Sequence, residues 1–285
     1  MPTLAYDDIH QHYEVYGSGE PFFLHHGLTS SCEMWHPHLP WLTRKYQVIL
    51  MDARGHGMTT APAGDDHYSW EIMAADVNRL LGHLGVERAI IGGLSMGGGV
   101  SLAFALNYPQ KVRALLLCDS AGVGVRSPQM QVTREQMDRQ MEERERIVRE
   151  YGVVEQGYRS ITAGLAPKAV LEDPVLQEEY IERMSHFSVN GSIYASRFVM
   201  RNAVQGVERT RELTMPTLVV IGDEDVGLLP AAEWLRDILP NRRYALLEGV
   251  GHATSRYKPE AWRKAVLDFL DDFEQGKDIR GEVTL

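Results

Sequence analysis

Ser95 lies in the run Gly93, Leu94, Ser95, Met96, Gly97, directly after the apolar stretch Ala89 to Ile91 and directly before the helix-like segment Gly98 to Phe104. A Gly-x-Ser-x-Gly run between a strand and a helix is the setting of a strained turn that exposes a nucleophilic hydroxyl. The glycines have a mechanical purpose. A serine held in an unfavourable backbone conformation at so sharp a turn needs residues two before and two after it that carry no side chain. A serine hydroxyl is a weak nucleophile at neutral pH, so covalent catalysis here demands a base near Ser95 and an acid that orients the base.

The C-terminal third supplies both. His252 follows Gly249, Val250 and Gly251, beyond the strand-like Tyr244 to Leu247, so it sits on a flexible loop at a strand end. Ten other histidines compete, among them His25 and His26 before Gly27 and His56 between Gly55 and Gly57, without comparable placement. His26 reads as a hydrogen-bonded loop anchor. For the acid, Asp223, Glu224 and Asp225 follow the buried strand Thr217 to Ile221. Asp225 is the preferred partner of His252; Asp223 is placed to cap the turn, and Asp119, ending a different strand, is a substitute acid. A tetrahedral intermediate also needs donors aimed at its oxyanion, and the backbone amides of Met96 and Leu28 occupy the expected positions.

Short apolar runs that position these residues recur at Phe22 to Leu24, Val48 to Met51, Ala89 to Ile91, Ala114 to Cys118, Thr217 to Ile221 and Tyr244 to Leu247. They lack alternation, as parallel strands covered on both faces do, whereas Ile9 to Tyr16 alternates. Helical stripes fall between them: Met73, Val77, Leu80, Leu81, Leu84 and Trp262, Val266, Phe269, Leu270, Phe273 share one spacing. An α/β fold with a mainly parallel sheet follows. From Gly122 to Leu213 the strand signal vanishes and charge-rich helical sequence replaces it, predicting an inserted lid over 122–213 and a core made of 1–121 and 214–285. Thr133 with Gln136 forms a capping-box pattern opening a helix through Glu150, with further helices at Pro174 to Phe187 and Ser192 to Val204. Gly276 and Gly281 among charges predict little order after Gln275.

Composition narrows the function classes. Lys plus Arg number 29 against 39 Asp plus Glu, a net charge of -10, which disfavours nucleic acid or an anionic membrane surface as partner. No signal-peptide pattern or long apolar run appears, so a cytoplasmic location is expected. Cys32 and Cys118 have no metal-ligand spacing and read as small buried apolar residues. Trp35, Met130, Tyr194 and Phe198 are the candidates for a largely apolar pocket. Arg197 and Arg201, four apart on one helix face, either hold a substrate carboxylate or make surface salt bridges.

These residues, together with Asp52, Ala53, Arg54, Gly55, His56, Gly57, resemble the α/β-hydrolase superfamily with a helical cap, over nearly the whole chain. The chain order Ser95, Asp225, His252 is that superfamily's order. The resemblance implies Ser95 as nucleophile, Asp225 as acid, His252 as base, Leu28 and Met96 as oxyanion-hole amides, and a structural duty for Arg54 and His56. Gly93 to Gly98 is similar to the nucleophile turn of 3-oxoadipate enol-lactonases and related esterases. The expected function is hydrolysis of a small-molecule carboxylic ester or lactone through an acyl enzyme, a mechanism that requires no cofactor or metal. Rival expectations are a carbon to carbon bond hydrolase, a cofactor-free haloperoxidase or perhydrolase, and a non-catalytic ligand receptor. The segment Ala253, Thr254, Ser255, Arg256 lacks the aromatic residue often found in the first of these, and a serine nucleophile argues against dehalogenases and epoxide hydrolases, which attack with a carboxylate.

Overall fold

The computed structural model describes residues 2–125 and 133–285. Its strands are β1 (Thr3–Tyr6), β2 (Ile9–Tyr16), β3 (Glu20–His25), β4 (Tyr46–Met51), β5 (Ala89–Leu94), β6 (Val112–Cys118), β7 (Thr217–Gly222), β8 (Arg242–Leu247) and β9 (Gly281–Thr284). They form one sheet in the order β1-β2-β4-β3-β5-β6-β7-β8-β9. β1 and β2 pair antiparallel, as do β2 and β4, and every other pairing is parallel. The near-continuous apolar runs are explained by cover on both faces. Phe23, Ile49, Ile91, Leu115 and Val219 point into one core cluster with Trp70, Val77 and Phe104. Their neighbours Phe22, Val48, Ile90, Leu116 and Leu218 point into the other, with Trp35, Trp262 and Phe269.

Several helices carry the signal that starts or stops them. Ser69 caps Trp70–His83, its Oγ accepting from the Ile72 amide at 3.0 Å. Gly85, at φ +68°, takes the left-handed turn just past the end. That helix is tied to the loop after β4 by a buried bidentate pair: Arg54 Nε and an Nη each donate to Asp76 at 2.8 Å. Between β6 and β7 the described chain is helical. Thr133 and Gln136 form the anticipated capping box, opening Arg134–Thr162. This helix runs past Glu150, bending where Gly152 leaves helical geometry at φ 88°. Pro174–Ser185 follows an Asp173 cap, and a π-helical turn Gly191–Ala195 leads into Ser196–Arg201.

The inserted segment seats on the loop after β4. A Cβ on Gly191 would lie 2.0 Å from the Gly55 carbonyl oxygen, so only glycine permits this approach. Ser188 Oγ donates to that same carbonyl at 2.6 Å, and Phe187 stacks on His56 at 4.5 Å. Among the described residues no helix is long and apolar enough to cross a membrane.

Two elements differ from expectation. β1 lies too far from an apolar pattern to be read, with half-exposed and exposed positions alternating. The tail after Gln275 is ordered: Ile279 is buried, and β9 pairs with β8 from Arg243 opposite Gly281 to Leu246 opposite Thr284. Four residues at a sheet edge are held by backbone bonds to β8, which side-chain pattern does not reveal.

Replacing Asp76 leaves the Arg54 guanidinium buried without its partner. Breaking a buried pair in this way costs about 3–5 kcal/mol. Urea denaturation of Asp76→Ala is expected to show a loss of that size, and an unchanged midpoint would mean that the pair does not anchor the helix.

Candidate active site

Parallel register decides which side chains can meet. His25 pairs with Gly93, and Leu94 with Cys118, so β3, β5 and β6 end level with one another. Ser95, Asp119 and the loop from His26 to Ser31 therefore leave the sheet along one carboxyl edge, where open α/β sheets hold their ligands. β7 and β8 end together as well, Gly222 opposite Leu247, which brings Asp225 and His252 to the same edge.

Ser95 has φ 57° and ψ -113°, outside every ordinary region for a side-chain-bearing residue. The turn is locked by backbone bonds: the Ser95 amide donates to the Cys118 carbonyl at 2.9 Å, and its carbonyl accepts from Gly99 and Ala121 at 3.1 and 3.0 Å. The glycines are required by contact. A Cβ on Gly93 would stand 2.4 Å from the Gly97 backbone, and one on Gly97 would stand 2.2 Å from the His25 carbonyl oxygen. Ser95 precedes the helix Met96–Asn107 but its hydroxyl makes no capping bond, unlike Ser69.

His252 Nδ1 donates to Asp225 Oδ2 at 2.7 Å. This bond fixes the proton on Nδ1 and leaves Nε2 as the free ring nitrogen. Burial works against a charged ring, but the Asp225 hydrogen bond and the charges of Asp225 and Asp119 outweigh it, raising the His252 pKa above its ordinary value. Asp225 Oδ1 lies 3.3 Å from the Leu228 amide that donates to it. The two loops are brought together by a glycine: a Cβ on Gly222 would lie 2.2 Å from the Val250 carbonyl oxygen. That carbonyl accepts from the Glu224 amide at 3.0 Å.

The other two acids have separate partners. Asp223 Oδ1 accepts from the Val250 amide at 3.3 Å, in keeping with a loop-bracing position. Asp119 Oδ2 accepts from the Thr254 amide at 2.9 Å and the Thr254 hydroxyl at 2.7 Å, joining the His252 loop to the end of β6 beside Ser95. Desolvation is the chief cause that lifts the Asp119 pKa to about 6, and Asp225 nearby adds to it. The Asp119 to Thr254 tie was invisible in sequence, because the two residues are 135 apart. Of five non-glycine residues at positive φ among those described, Thr29, Ser95, Asp119 and Ala253 all lie on these edge loops. Each such conformation costs on the order of 1–3 kcal/mol and persists only where the surroundings over-determine it.

The loop carrying Leu28 is braced by His26. Its Nε2 accepts from the Ala53 amide at 2.9 Å, so Nδ1 holds the proton and donates to the Gly27 carbonyl at 2.7 Å. Burial lowers the His26 pKa and keeps the ring neutral. Because a trans peptide points its N–H opposite its C=O, anchoring the Gly27 carbonyl also fixes the direction of the Leu28 amide. A Cβ on Gly27 would lie 3.6 Å from Ser95 Cβ, which measures how closely this loop passes the serine.

The pocket candidates fare differently. Trp35 is fully buried in the core against Trp262 and His38, at ring distances of 5.7 and 6.0 Å, so its bulk fills the interior instead of facing a ligand. Tyr194 stacks on Tyr68 at 6.1 Å and Phe198 meets Trp70 edge-on at 5.3 Å, both along the seam between inserted segment and core. Met130 lies outside the described residues. Arg197 is paired with Asp65 and Glu145, and Arg201 with Asp138, which supports the salt-bridge account. Cys32 and Cys118 are free and buried.

Residues 20–151 match the family model described as the alpha/beta hydrolase fold. A protein of Azorhizobium caulinodans provisionally named carbamate hydrolase RutD is 28% identical over 96% of this chain and 100% of its own. The 3-oxoadipate enol-lactonase 2 of Acinetobacter baylyi is 25% identical over 95% of this chain and 97% of its own. The crystal structure of the enol-lactonase from Burkholderia xenovorans LB400 superposes with a TM-score of 0.79 at 24% identity, covering 95% of this chain and 100% of that one. With the strained Ser95 turn, the sheet order and these likenesses in agreement, the chain has the α/β-hydrolase fold.

Proposed function

We propose that this protein is a serine hydrolase acting on a carboxylic ester or lactone through an acyl enzyme. The reading rests on one observation: a strained serine turn and a His252 to Asp225 hydrogen bond share the carboxyl edge of the sheet. Ser95 Oγ attacks the acyl carbon while His252 Nε2 takes the hydroxyl proton. Asp225 stabilises the resulting imidazolium and keeps the ring in the tautomer that leaves Nε2 free. The amides of Met96 and Leu28 bind the oxyanion. Collapse expels the alcohol, which receives the proton from His252, and for a lactone this alcohol stays attached to the acyl group. Water activated by His252 then releases the acid and restores Ser95.

In this reading residues 122–213 form a cap over a core of 1–121 and 214–285, and the cap selects the acyl group. Tyr194 and Phe198 stand on the cap's seam, where an apolar substrate wall is needed. A cytoplasmic enzyme of small molecules fits the acidic composition. A carbamate, the substrate class in the name of one relative, presents the same acyl electrophile, so esters, lactones and carbamates belong in one substrate panel.

A fluorophosphonate probe should place one label on Ser95. Ser95→Ala and His252→Ala should abolish it, together with turnover of p-nitrophenyl butyrate; labelling at another residue would refute the assignment. Asp225→Asn is expected to lower kcat about 10⁴-fold, the size of effect seen when a triad acid is removed. Asp119→Asn should cost far less, and the reverse ranking would move the acid to Asp119.

The pH profile gives a third check. Activity needs neutral His252, whose charged form is stabilised, so kcat/KM should rise with pH through a midpoint above the ordinary 6.5. In Asp225→Asn the stabilising charge is gone and the midpoint should move down. A midpoint that moves up or stays in place would contradict the assignment.

A further inference from the structure

His12, Glu14 and Cys32, which the proposed mechanism does not use, bring an imidazole nitrogen, a carboxylate oxygen and a sulfur within 4.8 Å of one another. All three are buried, at 2%, 9% and 1% exposure. They line a cavity of about 160 Å³ whose wall includes Asp52 and the exposed His186 and Met58. The fold assembles what sequence spacing does not. His12 and Glu14 alternate on β2 and so share one face, while Cys32 opens the 3₁₀ turn Cys32–His38 on the far side of the cavity.

The cluster has the features of a built ligand set. His12 Nε2 stands 3.5 Å from Glu14 Oε1, and donors about 2.0–2.3 Å from a tetrahedral ion stand roughly 3.3–3.8 Å apart. Glu14 Oε2 is occupied, accepting from His36 Nε2 at 2.6 Å and the Tyr16 hydroxyl at 3.0 Å, which orients Oε1 toward His12. Both Asp52 oxygens are likewise engaged, by the amides of Cys32 at 2.7 Å and Met58 at 2.9 Å, fixing the backbone that presents the thiol. His12 Nδ1 is buried with no partner among the described residues.

We propose that this cavity is a binding site for a divalent cation of the zinc class, held by His12, Glu14 and Cys32 with the fourth position open to water. One thiolate, one imidazole and one carboxylate suit a borderline-soft ion and do not suit magnesium or calcium, which take oxygen ligands. Binding breaks the Cys32 S–H bond: its electron pair becomes the sulfur to metal bond, and one proton leaves to solvent. A bound ion would fasten β2 to Cys32, four residues beyond Leu28, and so stiffen the loop proposed to carry an oxyanion amide. The ion does not enter the proposed chemistry of Ser95.

Cobalt(II) reports a thiolate ligand directly. Reduced, chelator-treated wild-type protein titrated with Co²⁺ is expected to develop a sulfur-to-cobalt charge-transfer band that saturates at one equivalent and disappears when Zn²⁺ is added. Ser95→Ala and Cys118→Ser should keep the band and Cys32→Ser should lose it. The proposal fails if the wild type gives no such band or if Cys32→Ser retains it. Should Cys32→Ser not fold, Glu14→Gln and His12→Gln decide: each should weaken Zn²⁺ binding at least tenfold by competition with a chromophoric chelator, and unchanged affinity in both overturns the site.

Discussion

The constraint on which this molecule depends is the contact of backbone with backbone at the Ser95 turn. β5 must end, reverse direction and begin a helix within a space that leaves no volume for a Cβ at Gly93 or Gly97. Because Gly97 lies against the His25 carbonyl, the same contact sets the distance from the turn to the end of β3 and to the loop that holds Leu28. The bonds from Ser95 to Cys118, Gly99 and Ala121 extend the lock to β6 and the following helix. A strained residue is retained only when its surroundings leave it no alternative, and here five backbone segments share that task.

Electrostatics along the edge follow from giving each carboxylate one partner. Asp225 engages the imidazole, Asp119 engages Thr254, and Asp223 engages the Val250 amide. Asp119 is the most deeply buried of the three and its pKa is raised, whereas Asp225 accepts from His252 Nδ1 and helps to raise the pKa of that ring. The histidines divide in the same manner. His25, His26 and His56 are kept neutral by burial and form a row of tilted rings, ending in a stacked contact of His56 with Phe187 of the helical segment between β6 and β7. That row couples the seating of the insert to the Leu28 loop by packing instead of charge.

Much of the sheet was legible because a strand covered on both faces is apolar over most of its length, as the central runs of β3 through β8 are. The proposed site was legible at Ser95, His252 and Asp225, because glycine punctuation at strand ends marks turns that expose side chains. Trp35 was misplaced for a physical reason: a large aromatic in a polar-flanked segment has the same composition whether it fills a core or faces a ligand. β9 was missed because edge pairing is made by the backbone. The grouping of Cys32 with His12 and Glu14 was hidden because these lie on β2, 20 and 18 residues upstream in the chain.

The sequence by itself determined where the chain turns, which runs are buried, and which residue types stand at strand ends. Those properties depend on local sterics and on solvent exclusion, and both are written in neighbouring residues. The tertiary structure alone decided that Thr254 takes Asp119, and that Gly222 and Gly191 are sites of close backbone approach. Each of these depends on strand register and loop docking between segments far apart in the chain. Such contacts are selected by three-dimensional fit and leave no periodicity to read.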